Sequence, residues 1–196
     1  MSTPTFDSIV QRRSIRKFNS TPVPKALLEE LLLAGILAPS AKNRQPWQFT
    51  VTLGAEKEKA TQAMARGLQR EQGQALSPGL ADAFNARRIM EQAPALIFIT
   101  NPFAHPLEEP LPPEERISDL CNTLSVGAAI ENMSLAAQAL GLGTLWIANT
   151  FFAYEELQAY LGLPGVLLSA LAVGYPDESP APRPRKPQAE VVDWRE

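Results

Sequence analysis

Arginine residues are concentrated in two short segments at opposite ends of this 196-residue chain. One segment reads Arg12-Arg13-Ser14-Ile15-Arg16 and the other Arg183-Pro184-Arg185-Lys186-Pro187. The whole chain has a net charge of −3, so these cations do not belong to a generally basic surface. A guanidinium group binds phosphate through paired hydrogen bonds. We therefore expect a local anionic ligand, such as a phosphate-bearing cofactor, unless each cluster is merely solvated or paired with Asp and Glu.

Other classes of chemistry have little support in the composition. The chain has one cysteine, Cys121, and one histidine, His105, which excludes a disulfide within the chain and leaves no basis for a Cys/His metal cluster or a histidine-based triad. Both are expected to be ordinary residues, the cysteine near a helix start and the histidine in a loop. Neither G-x-G-x-x-G after a strand nor G-x-x-x-x-G-K-[ST] occurs, so a bound phosphate must be held mainly by side chains.

The elements that must position these residues follow from hydrophobic periodicity. Helical spacing predicts helices over residues 24–37, from about residue 56, and over 80–91, 122–140 and 154–161. Runs rich in β-branched and apolar residues predict strands over 47–53, 94–100, 143–148 and 166–173. Prolines predict a long loop over 101–113 and an extended tail over 176–187, which is followed by a β-prone patch at 191–192. The stretch 67–79 has no clear periodicity and is left unassigned.

The order of these elements bounds the fold class. Helices outnumber strands and do not alternate with them as βαβ units, which favours an α+β sandwich over a doubly wound sheet. With 196 residues, of which 45% are hydrophobic, the chain is expected to form one domain over residues 1–196. No targeting pattern and no long apolar run occurs, so we expect a soluble, cytoplasmic protein that does not enter a membrane.

The predicted helix over residues 122–140 is unusual in having small or apolar residues almost all round. Gly127, Ala128, Ala129 and Ile130 follow one another at steps of about 100°, so they point to different sides of it. Exposure of such a surface to water is unfavourable, so the helix is expected in the core or, preferentially, in a subunit interface.

Four segments together resemble the nitroreductase family of FMN-dependent oxidoreductases. They occur in the family's order and span nearly the whole chain. They are the first arginine segment, Ala38-Pro39-Ser40-Ala41-Lys42-Asn43-Arg44-Gln45-Pro46-Trp47, Gly141-Leu142-Gly143-Thr144-Leu145-Trp146, and Gly174-Tyr175-Pro176 with the second arginine segment.

The resemblance implies a nitroreductase-like α+β fold, with a mostly antiparallel central sheet flanked by helices. It also implies an interlocked homodimer that binds one FMN in each of two pockets at the subunit interface. The helix with Ala128 and Met133 would form that interface, and the C-terminal tail would cross onto the partner. NADH or NADPH would supply a hydride, which passes through flavin N5 to a nitroaromatic, quinone or similar electron-poor acceptor in ping-pong turnover. The chain itself would supply no catalytic acid or base.

The same resemblance assigns individual site residues. Arg12, Arg13, Ser14 and Arg16 match the first FMN-contacting segment, with Arg12 at the phosphate and Arg16 at the pyrimidine edge of the flavin. The remaining matches are Pro39, Ser40 and Asn43 from the other subunit, Asn85 and Arg88 at the pyrimidine edge, the backbone of Trp146, Ile147 and Ala148 near flavin O4 and N5, and Arg183 and Arg185 at the phosphate. An acidic residue is common in the family where this chain has Ala148. Trp47 is expected to be a core aromatic residue that does not touch the flavin.

Several alternatives remain open at the level of sequence. Relatives with different flavin chemistry reduce enones, quinones or free flavins, remove halogens, oxidise their substrates or consume their own flavin. The expected pocket roof, residues 66–82 and 101–116, carries no polar constellation that selects one of these substrates, and NADH and NADPH are equally compatible. A nucleic-acid-binding module would explain the basic ends, but the net negative charge disfavours it, so no nucleic-acid partner is expected.

Overall fold

The computed structural model describes residues 3–72, 79–106 and 108–196. The unassigned stretch 67–79 is helical up to Gln72, and residues 73–78 lie outside the described part. The described helices are α1 (Pro4–Gln11), α2 (Lys25–Ile36), α3 (Gly54–Gln72), α4 (Leu80–Gln92), α5 (Pro113–Ala139), α6 (Tyr154–Leu161) and α7 (Gln188–Val191). The described strands are β1 (Gln48–Leu53), β2 (Ala95–Asn101), β3 (Gly143–Ile147) and β4 (Val166–Gly174), and two short 3₁₀ turns span Ala41–Asn43 and Asn149–Ala153.

The four strands form one antiparallel sheet in the order β1-β2-β4-β3. All seven residues of β2 are buried, as its apolar sequence predicts for a central strand. The expected α+β class with an antiparallel central sheet is therefore confirmed.

Helices cover both faces of the sheet and enclose two hydrophobic cores. Alternate residues of β2 point to opposite faces, so Leu96 and Phe98 belong to one core and Ile97 and Ile99 to the other. The first core includes apolar side chains of α3 and α4, and the second includes those of α2 and α5.

Both ends of the chain meet at the edge of the sheet beside β3. The segment after α1 runs parallel to β3: Ser14 lies opposite Thr144, and the Ile15 amide donates to the Thr144 carbonyl at 2.9 Å. The chain that follows β4 then pairs with this segment, because the Asn19 amide donates to the Tyr175 carbonyl at 3.0 Å. This edge places the two arginine segments side by side.

The structure differs from the sequence predictions at three places. The helix expected over 122–140 begins nine residues earlier, at Pro113, where a proline in the first turn is compatible with a helix. Helix α1 was not predicted, although Thr3 caps it and Pro4 opens it. The prediction of β structure at 191–192 is wrong for Val191, which is the last residue of the short helix α7.

One face of α5 packs into the chain's own second core. Val126, Ile130, Met133 and Ala137 are buried there without any partner subunit. The N-terminal half of α5 is different, since Leu124 remains 76% exposed. Burial of the apolar helix is thus explained in part by the core of the single chain.

Candidate functional site

The two arginine segments line one cavity of about 320 Å³, which we call the arginine cavity. Its walls come from the end of α1, the residues that follow α1, and the C-terminal tail. The lining residues are Ile9, Val10, Arg12, Arg13, Ser14, Arg16, Pro180, Ala181, Pro182, Arg183 and Arg185. They include five arginines and no carboxylate. Residues that are far apart in sequence thus produce a local positive site of the kind that binds phosphate.

One ion pair and several short-range hydrogen bonds restrain three of the cavity arginines. Arg12 Nε lies 3.3 Å from Glu131 Oε1 of α5, so the carboxylate holds the side of the guanidinium group at Nε. Arg13 Nη1 donates to the carbonyls of Val10 at 2.6 Å and Arg12 at 2.8 Å, which closes the C-terminal end of α1. Arg16 Nη1 donates to the Ser14 carbonyl at 3.1 Å. These contacts restrain the side chains before any ligand binds, which lowers the entropic cost of binding.

The tail arginines are held less firmly. Arg185 Nη1 donates to the carbonyls of Arg183 at 3.2 Å and Pro184 at 3.3 Å, both within the tail. Arg183 and Arg185 are exposed. Their position therefore depends on how the tail itself is attached to the rest of the chain.

Asn85 and Arg88 lie together on α4 but do not line the arginine cavity. Arg88 Nη2 donates to Asn85 Oδ1 at 2.9 Å, as their spacing of three on one helix face allows. Arg88 instead lines a separate cavity of about 400 Å³, together with Lys17, Phe18, Ser20, Gln92 and Asp177. Lys17 directly follows Arg16, so neighbouring residues of one segment line the two cavities.

The segment with Pro39, Ser40 and Asn43 also lies away from the arginine cavity within one chain. It is a tight loop in which Ser40 Oγ accepts from the Gln45 amide at 3.0 Å, and Asn43 has a positive φ of 53°. This left-handed conformation is uncommon for residues other than glycine, and such strain often occurs at functional sites. The side chain of Trp47 packs against the second core, which confirms that it is a core aromatic residue.

The end of β3 lies next to Arg16. Because Ser14 lies opposite Thr144 in a parallel alignment, Arg16 comes level with Trp146 two residues later. Trp146 is 46% exposed, Ile147 is buried and Ala148 is exposed. An exposed aromatic side chain at the end of β3 is suited to contact a planar ligand.

The loop after β2 is anchored to α5 by contacts that the sequence did not reveal. The Asp119 carboxylate accepts from the His105 amide at 3.2 Å and lies 3.1 Å from His105 Nδ1, while His105 Nε2 is 3.5 Å from Glu115. The hydrogen bond to Asp119 raises the pKa of His105 above its usual value. The sequence predicted an ordinary loop residue at this position. In the structure, His105 anchors the loop to α5.

A second contact joins this loop to the strained segment. The Arg44 guanidinium lies 4.7 Å from the centre of the Phe103 ring, and Arg44 Nη1 donates to Ser118 Oγ at 3.0 Å. The loop is thereby attached to α5 and to the segment that contains Asn43.

Two further acidic residues belong to the site and were not predicted. Glu131 pairs with Arg12, as described above. The Glu178 carboxylate accepts hydrogen bonds from the backbone amides of Arg16 and Lys17. No local pattern in the sequence identifies Glu178, because its partner Arg16 is 162 residues away.

None of the helices in the described ranges combines the length and the apolar character that crossing a bilayer requires.

Comparison with known proteins gives consistent matches over most of the chain. The model of the nitroreductase family matches residues 9–175. A relative from Archaeoglobus fulgidus, described as a candidate NADH dehydrogenase/NAD(P)H nitroreductase, is 31% identical over 176 residues that cover 87% of this chain and 84% of the relative. An NADH dehydrogenase of Thermus thermophilus is 29% identical in an alignment that covers 95% of this chain and 93% of that protein.

A solved structure shows the same architecture. The crystal structure of a candidate nitroreductase from Desulfovibrio desulfuricans, determined in complex with FMN, superposes with a TM-score of 0.76 at 26% identity. The superposition covers 100% of this chain and 99% of that one.

Proposed function

This chain belongs to the nitroreductase family, and from that premise we propose that it is an FMN-dependent NAD(P)H oxidoreductase whose FMN phosphate binds in the arginine cavity. The observation that carries the proposal is the meeting of five arginines from both ends of the chain in one cavity without a lining carboxylate. A phosphate monoester carries up to two negative charges and three acceptor oxygens, which this donor set matches. The residues present therefore fit the cofactor that the family uses.

The arginines divide into two roles. Arg12, Arg183 and Arg185 bind the phosphate, and Arg13 supports them by closing α1. Arg16, which comes level with the end of β3, lies at the pyrimidine edge of the flavin ring. A guanidinium group there favours negative charge on the ring. When bound, FMN supplies the atom that accepts and donates hydride, N5, and the chain provides orientation and charge.

Other residues complete the site around the ring. The backbone of Trp146, Ile147 and Ala148 faces the flavin near O4 and N5. Asn85 and Arg88 would bind the pyrimidine edge, a role that is supported by Arg88, which lines a cavity together with Lys17, the residue after Arg16.

The site is completed by a second copy of the chain. Pro39, Ser40 and Asn43 do not line the arginine cavity of their own chain, so in a homodimer they serve the partner's FMN. Exposed apolar side chains on α1 and on the N-terminal half of α5 support such an interface, since exposure of this much apolar surface is unfavourable for a monomer. They are Phe6, Ile9, Val10, Ile117, Leu120 and Leu124.

The donor and the acceptor would occupy one substrate site in turn. NADH or NADPH would bind first and leave oxidised, and a nitroaromatic, quinone or similar electron-poor acceptor would then take its place. No acid or base of the chain is required, because the chain's contribution is to orient both partners.

Steady-state kinetics tests this proposal. The FMN-loaded protein is assayed with NADH and then NADPH as donor, against a nitroaromatic compound and a quinone, while both concentrations are varied. We expect parallel lines in double-reciprocal plots, as ping-pong turnover requires. Intersecting lines would show that both substrates bind together and would overturn the single-face mechanism, and no oxidation of either nicotinamide would overturn the proposed activity.

A further inference from the structure

We infer that Glu178 is a positioning residue for the phosphate site: its carboxylate holds the C-terminal tail against the backbone of Arg16 and Lys17, so that Arg183 and Arg185 line one cavity with Arg12. This inference rests on the proposed FMN site. It gives a role to a residue that does not line the arginine cavity.

Glu178 joins the two walls of the arginine cavity through main-chain donors. One oxygen, Oε1, accepts from the amide of Arg16 and from the amide of Lys17, the latter at 3.2 Å. A charged acceptor strengthens hydrogen bonds from backbone amides. The contact thus fixes the backbone of residue 178 relative to the first arginine segment, independently of side-chain rotamers on the arginines.

Beyond Glu178 the tail has no comparable attachment in the described part of the chain. The hydrogen bonds and ion pairs of residues 179–196 join residues of that stretch to one another, such as Arg185 to Arg183 and Arg195 to Asp193. Before it, the Asp177 amide donates to the Lys17 carbonyl at 2.9 Å. Among the described residues, Glu178 is therefore the last one whose side chain joins the tail to the body of the protein by hydrogen bonds.

The opposite wall of the cavity is held independently. The Ile15 amide donates to Thr144 of β3, the Ile15 side chain is buried in the first core, and Arg12 pairs with Glu131. Removal of the Glu178 carboxylate should therefore release Arg183 and Arg185 while it leaves Arg12 and Arg16 in place. This difference makes the role testable, because loss of the tail's attachment alone should weaken binding of the FMN phosphate and leave binding of the flavin ring unchanged.

The test compares FMN with riboflavin, which has the same ring and lacks the phosphate. Dissociation constants are measured by flavin fluorescence for the wild type, Glu178→Ala, Glu178→Gln and the control Glu190→Ala. For Glu178→Ala we expect FMN to bind about tenfold more weakly, equivalent to about 1.4 kcal/mol, with riboflavin affinity changed less than about twofold. Glu178→Gln should restore FMN binding because its amide oxygen accepts from the same two backbone amides. Glu190→Ala removes an exposed tail carboxylate and should behave as the wild type.

Limited trypsin digestion measures tail attachment without any ligand. Trypsin cleaves between Arg185 and Lys186, whereas proline protects the bonds that follow Arg183 and Lys186. Glu178→Ala should release residues 186–196 several-fold faster than the wild type, and Glu178→Gln should not.

The outcomes separate this inference from the proposed function. Equal losses of FMN and riboflavin affinity in Glu178→Ala, or unchanged FMN affinity with unchanged digestion, would overturn the positioning role. If the wild type binds no FMN, the proposed function falls, and the digestion rates alone then support or overturn attachment of the tail by Glu178.

Discussion

Gly143 is the position where a single methyl group should disturb both the fold and the site. A Cβ atom added there would lie 2.7 Å from Ile15 Cγ1, 3.0 Å from Ile15 Cβ and 3.1 Å from Ile15 Cγ2. Carbon atoms pack at about 3.5–4.0 Å, so the Ile15 side chain must move by about 1 Å. Because Ile15 is β-branched, buried and tied to Thr144 through its amide, it has little freedom to do so.

We expect Gly143→Ala to destabilise the protein by about 2 kcal/mol, within the usual range for overpacked cores. For a chain of this size that corresponds to a fall in Tm of roughly 4–8 °C. FMN affinity should fall as well, since Ile15 lies directly between Ser14 and Arg16. Thermal unfolding followed by tryptophan fluorescence, together with an FMN titration, measures both effects.

A double-mutant cycle isolates the contact. Ile15→Ala removes the atoms that the new methyl group meets, so Gly143→Ala should cost much less in that background. Gly141→Ala is the matched control: its φ of 73° makes alanine strained there, but nothing lies within 4 Å of an added Cβ, so its cost should not depend on Ile15. An unchanged Tm for Gly143→Ala, or a loss that Ile15→Ala fails to relieve, would refute this reasoning.

Three further predictions concern the ring site, the subunit interface and the loop. Arg16→Ala should weaken FMN retention and slow flavin reduction in stopped-flow measurements relative to the exposed control Arg195→Ala, and unchanged values would remove Arg16 from the site. Leu124→Asp places a charge on a side chain that is 76% exposed in the single chain, so sedimentation should show monomers in place of dimers, and a dimer of wild-type stability would place the interface elsewhere. Asp119 raises the pKa of His105, so the folded state holds the proton more tightly than the unfolded chain does. The stability that this provides is fully present below pH about 6.5 and is lost as the pH rises through the raised pKa. His105→Ala should therefore lower Tm at pH 6 and have a smaller effect at pH 9, and an effect that grows with pH would contradict this sign.

Much of the architecture could be predicted from local patterns. The helix Tyr154–Leu161 has the predicted bounds because acidic residues occupy its first turn and Gly162, with a φ of 61°, ends it. The strands were found because their apolar runs are buried in a sheet that is covered on both faces. The start of α5 was missed because prolines before residue 113 were treated only as helix breakers.

Of the candidate site, the arginines could be predicted from the sequence, and the acidic residues that hold them could not. Arginine clusters are visible in sequence, and the structure brings them into one cavity as expected. The acids that hold those arginines were missed, since Glu131 and Glu178 act through contacts distant in sequence. The contacts of His105 were also missed, because its partners Glu115 and Asp119 lie on a part of α5 for which the sequence analysis predicted no helix.

The most direct test of the proposed function is an absorption spectrum of the purified protein with added FMN, followed by anaerobic addition of NADH and then NADPH. We predict that a flavin band remains with the protein after gel filtration and bleaches with at least one nicotinamide. A protein that retains no flavin would contradict the assignment of the arginine cavity, and bound flavin that neither nicotinamide bleaches would contradict the proposed NAD(P)H oxidoreductase activity.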